Sequence, residues 1–406
     1  MPWLVLAMAS GFQADARFGL AVDYGRIAFP YILFISLAAL ASGLLNALGR
    51  FAAAAAAPLL LNIILVSAMV LADRAGWDMG RTLARSVPIA GIAQLALLWL
   101  ACKRAGFTLI PQRPRLTPDM RRLAIIALPA ALAGGVVQVN LLVGRQVASF
   151  FDGAVAWLSY ADRLYQLPLG LVGVAIGVVL LPDLSRKLQA SDEAGAQSAF
   201  NRANEFSLAL TLPAAVALVA IPLPLVSVLF ERGAFSATDS TATAAAVAIY
   251  GLGLPAFVLQ KTVIPLFFAR EDTRTPFRLA LVSMVINAVV AIGLAGWLGY
   301  LAAALGTTLA AWGNLALLWM ASRKMGDAAA LDARMKRALP RIFAASLVMG
   351  ACIYALAGTM QDAFVEGGSR YLALGLLIAA GGVSYVAAIA LSGAFRVQDI
   401  KAALRR

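Results

Sequence analysis

The chain has 406 residues and a formal net charge of +13, with 62% hydrophobic and 13% charged residues. This composition excludes a soluble domain, which would expose large apolar patches, and makes the lipid bilayer the natural solvent. With two cysteines and no histidine, the sequence excludes disulfide frameworks, zinc sites and histidine-based catalysis, and predicts neither a metal site nor a bound cofactor.

The apolar stretches predict an all-α polytopic membrane protein with about eleven transmembrane helices. A spanning helix needs roughly 20 mostly apolar residues, and the stretches here are continuous and rich in Ala and Leu rather than alternating, which excludes a β-barrel. In chain order the predicted spans cover residues 28–48, 55–73, 86–102, 124–150, 157–182, 204–229, 241–268, 279–298, 300–321, 341–358 and 370–393.

The connectors between these spans carry most of the basic residues and indicate the orientation. Twenty-three of the 33 basic residues fall in connectors on one side of the membrane and seven on the other. By the positive-inside rule the richer side is cytoplasmic, and so is the C-terminus. The connectors lack the interleaved aromatic residues of a nucleic-acid-binding face, so no nucleic-acid partner is expected.

The first ten residues are predicted to be the remnant of a preceding helix. The orientation places residues 1–27 outside, yet the opening MPWLVLAMASGF has no basic segment of the kind that begins a secretory signal. We therefore expect an odd number of further spans upstream of Met1.

A repeated pattern favours a transporter. Pro30, which opens a predicted span, precedes Asn62 by 32 residues, and Pro255 precedes Asn287 by the same spacing and repeats this plan. Corresponding hairpins with proline-broken helices are typical of two-lobed transporters, which bind substrate between their lobes. Coincidence is the alternative.

Charged residues inside spans are costly and mark candidate sites. Arg163 lies in the turn SYADRLYQLP, flanked by Asp162, which would orient its guanidinium, and by Gln166 on the same helical face. An arginine fork suits a phosphate or pyrophosphate. The alternative is an arginine that snorkels to the membrane surface.

The preceding predicted span adds a second intramembrane arginine. Arg145 follows Asn140 along that span, and together with Arg163 it would give a cationic cavity that attracts an anionic substrate. The alternative is that Arg145 pairs with Asp152 or Asp162.

The connector after the span 241–268 is compact and strongly charged. Its four charged residues predict a cytoplasmic gate whose ion pairs exchange during transport; they are Arg270, Glu271, Asp272 and Arg274. The alternative is a solvated turn. Asn287, Thr307 and Thr308 further along the chain are candidates for a sodium site, with structural hydrogen bonds between helices as the alternative.

Three groups of residues closely resemble motifs of the MurJ (MviN) family of lipid II flippases. In order along the chain these are 29–33 (FPYIL) with 46–51 (NALGRF), then 160–164 (YADRL) with 168–170 (PLG) and 181–185 (LPDLS), and finally 268–276 (FAREDTRTP). The resemblance implies a two-lobed transporter of fourteen helices within the multidrug/oligosaccharidyl-lipid/polysaccharide exporter superfamily, of which this chain would supply helices four to fourteen.

The resemblance also implies a division of the chain. Residues 1–10 would be a helix remnant, 11–122 the remaining three helices of the N-lobe, and 123–338 the six-helix C-lobe. Residues 339–406 would form two C-terminal helices with a groove for the lipid tail, followed by a basic cytoplasmic tail.

The implied activity is transport of lipid II from the cytoplasmic to the periplasmic leaflet of the bacterial inner membrane for peptidoglycan synthesis. Arg163 and Asp162 fall on the family's functional pair, while Gln166 stands where some members have glutamate. The family's other cavity arginines lie on its first two helices, so the chain expressed alone is expected not to flip lipid II.

The sequence also bears on energy source, partners and alternatives. There is no GxxxxGK[ST] loop, so the membrane potential or sodium would supply energy. A monomer in contact with membrane lipids is expected. A cation-coupled drug or polysaccharide exporter of the same superfamily is the alternative function, and a membrane glycosyltransferase is disfavoured because the outer loops are short.

Overall fold

The structure, a computed structural model, describes residues 1–107, 118, 120, 121, 138, 141–365 and 369–393. Every regular element in this part of the chain is helical. The α-helices are α1 (Pro2–Met8), α2 (Ala16–Ala28), α3 (Tyr31–Ala47), α4 (Phe51–Ala75), α5 (Met79–Arg104), α6 (141–148), α7 (Ala154–Gln189), α8 (Glu193–Ala220), α9 (Pro222–Phe230), α10 (Ala237–Phe268), α11 (Arg274–Gly293), α12 (Ala295–Leu298), α13 (Leu301–Ser322), α14 (Ala333–Thr359), α15 (Gln361–Val365) and α16 (Ser369–Ser392). Short 3₁₀ segments cover Ser10–Ala14, Arg323–Met325 and Asp327–Ala329.

The prediction of an all-α polytopic membrane protein is confirmed. Within the described residues, eight helices are long and apolar enough to cross a membrane, and the pair α2 and α3, bent by 40°, raises the number to nine. These nine correspond to nine of the eleven predicted spans. The span predicted over 124–150 lies largely outside the described residues, and that over 157–182 lies within the long helix α7.

The span predicted over 204–229 is wrong in its limits. Helix α8 begins earlier, at Glu193, because the Asp192 carboxylate accepts a 2.8 Å hydrogen bond from the Gly195 amide and caps the helix. The helix stops before Ile221, and α9 begins at Pro222. Pro222 occupies the first turn of α9, where its missing N–H leaves no helical hydrogen bond unmade.

The two proline–asparagine stretches share their spacing but not their surroundings. Pro30 stands at the break between α2 and α3, as expected, whereas Pro255 does not open a span but lies buried inside α10. Asn62 is exposed and Asn287 is fully buried. The equal spacing therefore does not give equivalent structures.

Two compact units divide the chain, Met1–Leu128 and Pro129–Arg406. In the first unit, α5 packs against α3 and α4. The Gln94 amide on α5 donates a 3.0 Å hydrogen bond to the Ala57 carbonyl on α4 and accepts one of 3.3 Å from the Tyr31 hydroxyl on α3. The buried core of this unit is small and is made of Ala38, Ala41, Leu45, Ala57, Leu98 and Cys102.

In the second unit, α10 is the central helix. It packs against α7, α8 and α13, while α11 packs on α13, and α14 packs between α8 and α16. Small residues allow close approach of these helices. Gly306 on α13, for example, lies so near Asn287 on α11 that an added Cβ would be 2.7 Å from the asparagine Oδ1 atom.

Candidate functional site

A polar turn in α7 carries three of the predicted site residues. Asp162 is partly buried, whereas Arg163 and Gln166 are exposed. The helix begins after Gly153, whose φ of +76° suits glycine. One helical turn therefore presents a carboxylate, a guanidinium and an amide in an otherwise apolar helix.

The Asp162 carboxylate is held by a neutral donor rather than by an arginine. The Gln166 Nε2 atom donates a hydrogen bond to Asp162 Oδ2, one helical turn away. Among the described residues, Asp162 has no nitrogen of Arg145 or Arg163 within ion-pair distance, although both positive charges act on it. The expected orienting contact between Asp162 and Arg163 is therefore not formed in this structure.

The second predicted arginine is on a separate helix of the same unit. Arg145 lies on α6 and is exposed. It forms no ion pair with Asp162, one of the two partners that the alternative named, but it contributes electrostatically at that carboxylate. Asn140, predicted beside it, lies outside the described residues.

Aromatic rings pack on the buried side of the polar turn. Tyr165 on α7 is 7% exposed and contacts two rings of α10: its centroid is 5.1 Å from that of Tyr250 and 5.5 Å from that of Phe257. Its phenol also interacts with Asp162. Tyr250 and Phe257 were not predicted as supports of this turn from the sequence. The only sequence signal for them was the presence of two aromatic residues inside an apolar span.

This arrangement suits recognition of a multiply charged oxyanion. Arg145 and Arg163 supply two permanently charged groups whose planar donors match phosphate oxygens. The neighbouring carboxylate is already engaged by an amide, so it does not neutralise either guanidinium through a direct ion pair.

The predicted gate segment joins α10 to α11 and is fixed within the second unit. The Arg270 guanidinium donates a hydrogen bond of 3.1 Å to the Met325 carbonyl and lies 3.7 Å from the Glu193 carboxylate. Glu271 has a left-handed φ of +58°. The partners of Arg270 thus come from the first residue of α8 and from the 3₁₀ segment that follows α13.

Asp272 in this segment caps the start of α11. Its Oδ1 atom accepts from the amides of Arg274 (3.1 Å) and Thr275 (2.9 Å). These hydrogen bonds, above all those from Thr275, lower the pKa of Asp272. The Arg274 side chain is exposed.

The three candidate sodium ligands occupy structural positions, Thr307 within its own helix and Thr308 and Asn287 between helices. The Thr307 hydroxyl donates a hydrogen bond of 3.0 Å to the Ala303 carbonyl, and the Thr308 hydroxyl donates one of 3.0 Å to the Ile249 carbonyl on α10. Asn287 is fully buried against Gly306. In the part of the chain that is described, no three His, Cys, Asp or Glu side chains cluster as metal ligands.

A large apolar cavity lies within the second unit, with a volume of about 1120 Å³. Its walls come from α8, α10, α13 and α14, and it includes Trp312 and Trp319, with Asn204 as a polar residue at one end. The predicted tail groove involved the last two helices; α14 lines this cavity, while its lining residues include none from α16.

A buried ion cluster lies beside this cavity. Glu205 on α8 is 2% exposed and pairs with Arg202 on its own helix and with Arg334 on α14, the latter at 3.2 Å. Arg202 also lies 2.5 Å from Asp332, the capping residue of α14. This cluster was not predicted from the sequence, because its members come from segments about 130 positions apart.

Comparison with known proteins decides the family. The profile of the family described as lipid II flippase MurJ matches residues 1–374. The chain belongs to the lipid II flippase MurJ family. It is therefore a transporter and not an enzyme, as predicted, and a multi-pass protein of the inner membrane; lipid II is the substrate implied by this family.

Curated relatives agree with this assignment. A probable lipid II flippase MurJ of Rhizobium meliloti (strain 1021) is 42% identical over 403 residues, covering 97% of this chain and 75% of the relative. The corresponding protein of Rhizobium tropici is 41% identical over 415 residues, covering 100% of this chain and 78% of the relative.

A solved structure shares the fold. The structure titled lipid II flippase MurJ, inward closed conformation, matches with a TM-score of 0.79 and 24% identity. The match covers 96% of this chain and 78% of that one. The helical architecture of the MurJ family is thus shared at low sequence identity.

Proposed function

We propose that this chain binds the pyrophosphate of lipid II on Arg163 and Arg145 and moves the head group to the periplasmic leaflet by alternating access. The observation that carries the proposal is the pair of exposed guanidinium groups on α6 and α7, neither of which is ion-paired to Asp162 although both act on that carboxylate electrostatically. In a membrane span such unpaired charges are costly unless they meet a substrate.

The prenyl tail lies in the apolar cavity bounded by α8, α10, α13 and α14. Its volume of about 1120 Å³ is large for a small-molecule site, and nearly all its lining residues are apolar. Exposure of a hydrocarbon chain to water is unfavourable. The tail therefore stays in contact with lipid and with the apolar cavity while the head group crosses the membrane.

The orientation and gating follow from the charged connectors. The C-terminus is cytoplasmic because the basic connectors face that side. Arg270, Glu271, Asp272 and Arg274 form a cytoplasmic gate, and the membrane potential or sodium, with Asn287, Thr307 and Thr308 as candidate ligands, supplies energy. The chain acts as a monomer with an N-lobe part (11–122), a C-lobe (123–338) and a C-terminal pair of helices (339–406).

Binding of lipid II by the purified chain in lipid nanodiscs tests the head-group site. Arg163→Ala and Arg145→Ala should each weaken binding about tenfold or more, since hydrogen bonds to charged groups contribute about 1.5–3 kcal/mol. Arg163→Lys should recover only part of the loss because lysine cannot bind bidentately. Arg186→Ala, at a 77% exposed side chain paired with Asp183, is the control.

The outcome also separates the alternative exporter function. Unchanged lipid II affinity in both arginine variants would contradict the proposal. Competition by cationic drugs that depends on Arg163 would point instead to a drug exporter of the same superfamily.

The tail site has its own matched pair of variants on α14. Leu347 lines the cavity, whereas the next residue, Val348, is exposed and does not line it. Leu347→Trp should fill part of the cavity and weaken binding of lipid II, while Val348→Trp should leave it unchanged. Equal effects of the two variants would remove the cavity from the proposal.

A further inference from the structure

We infer that Gln166 and Tyr165 are positioning residues that hold the Asp162 carboxylate away from Arg163 and Arg145, so that the two guanidinium groups remain available to a pyrophosphate. This inference rests on the proposed function of the two arginines. It assigns Gln166 a role through Asp162, rather than the direct substrate contact expected from the sequence.

The geometry of the α7 turn carries the first step. Gln166 follows Asp162 by four residues, so the two side chains lie on one helical face, and the Gln166 amide donates to the Asp162 Oδ2 atom. Tyr165 interacts with the same carboxylate from the buried side. The Gln166 amide therefore holds this acid by a hydrogen bond, and the Tyr165 phenol acts on it electrostatically.

The second step concerns the rigidity of this support. The Tyr165 ring is 7% exposed and is held between Tyr250 and Phe257 of α10, at centroid distances of 5.1 and 5.5 Å. The Tyr165 ring is therefore held in place by packing between α7 and α10. The held position of Asp162 is thus built into the contact between α7 and α10.

The third step is electrostatic. Both arginine charges act on Asp162, yet neither arginine forms an ion pair with it in the described structure. A carboxylate that rotated onto Arg163 would take the donors that a phosphate needs, because bidentate pairing occupies the guanidinium fork. A carboxylate that is engaged by neutral donors competes less with the substrate phosphate for the guanidinium groups. Its negative charge still lowers the free-energy cost of placing two positive charges in a membrane span.

Glutamine is well suited to this task. Its amide donates a hydrogen bond without adding charge, whereas an ionised acid at position 166 would add like charge one turn from Asp162. Leucine at this position keeps much of the volume and removes the donor, so Gln166→Leu isolates the proposed contact.

A double-mutant cycle with undecaprenyl pyrophosphate in phosphatidylcholine nanodiscs tests the inference. The chains are the parent, Gln166→Leu, Asp162→Asn and the double variant. Gln166→Leu should weaken binding about fivefold to tenfold in the parent, because Asp162 then turns to the arginines. In the Asp162→Asn background the same substitution should change affinity less than twofold. Asp162→Asn alone supplies the reference affinity for that background.

Tyr165→Phe is the second variant, since it keeps the ring packing against α10 and removes only the hydroxyl. It should weaken binding with the same dependence on Asp162, and its thermal stability provides a check on folding. Equal losses in both backgrounds would mean that Gln166 contacts the ligand itself, which overturns the inference, and so would unchanged affinity in both single variants.

The Arg163→Ala chain in the same assay separates the two levels of the proposal. If Arg163→Ala fails to weaken binding of undecaprenyl pyrophosphate, the proposed function itself fails. If Arg163→Ala weakens binding while the cycle shows no coupling between positions 166 and 162, only the positioning role is overturned.

Discussion

The Tyr385 hydroxyl on α16 donates a 2.5 Å hydrogen bond to the backbone carbonyl of Ala209 on α8. This carbonyl would ordinarily accept from the amide of residue 213, four positions on, but that residue is Pro213, which lies inside α8 and has no N–H. The tyrosine therefore satisfies a backbone acceptor that the proline leaves open. In a bilayer an unsatisfied carbonyl would be costly.

Removing this hydroxyl should loosen the attachment of α16. Tyr385→Phe leaves the Ala209 carbonyl without a partner, so we expect a loss of about 1–3 kcal/mol in stability, measured by unfolding in detergent. Tyr354→Phe, at a 68% exposed ring on α14, is the control and should change stability little.

The role of Pro213 can be tested by making the Tyr385→Phe substitution in a chain without this proline. In Pro213→Ala the helix regains an amide that can donate to the Ala209 carbonyl, so Tyr385→Phe should then cost much less. An equally large loss with and without Pro213 would contradict the role of the proline and leave ring packing as the cause.

Gly306 should not tolerate even a methyl group. A Cβ there would lie 2.7 Å from Asn287 Oδ1, 2.9 Å from the Asn287 carbonyl and 3.1 Å from the Ala291 side chain. Because backbone cannot move aside easily, Gly306→Ala should force α11 and α13 apart and cost about 1–3 kcal/mol. Thermal unfolding measures the loss.

The control for this prediction lies at the end of α11. Nothing lies within 4 Å of a Cβ added at Gly293, so Gly293→Ala should be neutral or slightly stabilising through helix propensity. If both alanine variants were equally stable, the close approach at Gly306 would not limit packing.

The buried carboxylate of Glu205 should contribute more than exposed acids with similar partners. Glu205→Gln removes the charge that Arg202 and Arg334 share, and we expect a loss of about 2 kcal/mol. This lies below the 3–5 kcal/mol typical when a buried pair is broken, because the two arginine side chains are 33% and 47% exposed and can be hydrated.

An acid of the same unit provides the comparison. Asp183 also has two basic partners, Arg186 and Lys187, but both are helix neighbours, and the Asp183 side chain is 30% exposed whereas that of Glu205 is 2% exposed. Asp183→Asn should cost less than about 1 kcal/mol. Unfolding curves for both variants should therefore separate, and the reverse order of losses would contradict the importance of burial.

The helix cap at Asp272 should fail in acid. Hydrogen bonds from Thr275 lower the pKa of this carboxyl below its ordinary value of 3.8. A depressed folded pKa means that the contribution to stability is fully present above the unfolded value and is lost as the pH falls through the folded one. The stability difference between the parent chain and Asp272→Ala should stay constant from about pH 6 to about pH 4 and then shrink.

Unfolding midpoints of the two chains across this range provide the measurement. A difference that stays constant below the ordinary pKa, or that grows in acid, would show that ionised Asp272 does not cap α11. The protection factors of the Arg274 and Thr275 amides against hydrogen exchange should fall in the same acidic range.

The sequence by itself determined the membrane fold and the candidate residues on α7. Continuous apolar runs are a local property, and in lipid the backbone must satisfy its own hydrogen bonds, so such runs become helices wherever they occur. The same reasoning located Arg163 and Arg145, because a charge inside an apolar run is visible without any knowledge of contacts. It misplaced Pro255, since a proline can either begin a helix or lie inside one.

Only the tertiary structure decided which groups meet. The sequence placed Asp162 beside Arg163, yet the carboxylate bonds to Gln166, because side-chain direction depends on helix geometry and on Tyr165 packed against α10. Glu205 and Arg334 come together across about 130 positions only because α8 and α14 pack side by side. Hydropathy fixes how each helix sits in the bilayer, but contacts between helices depend on shape and on hydrogen bonds that no single segment contains.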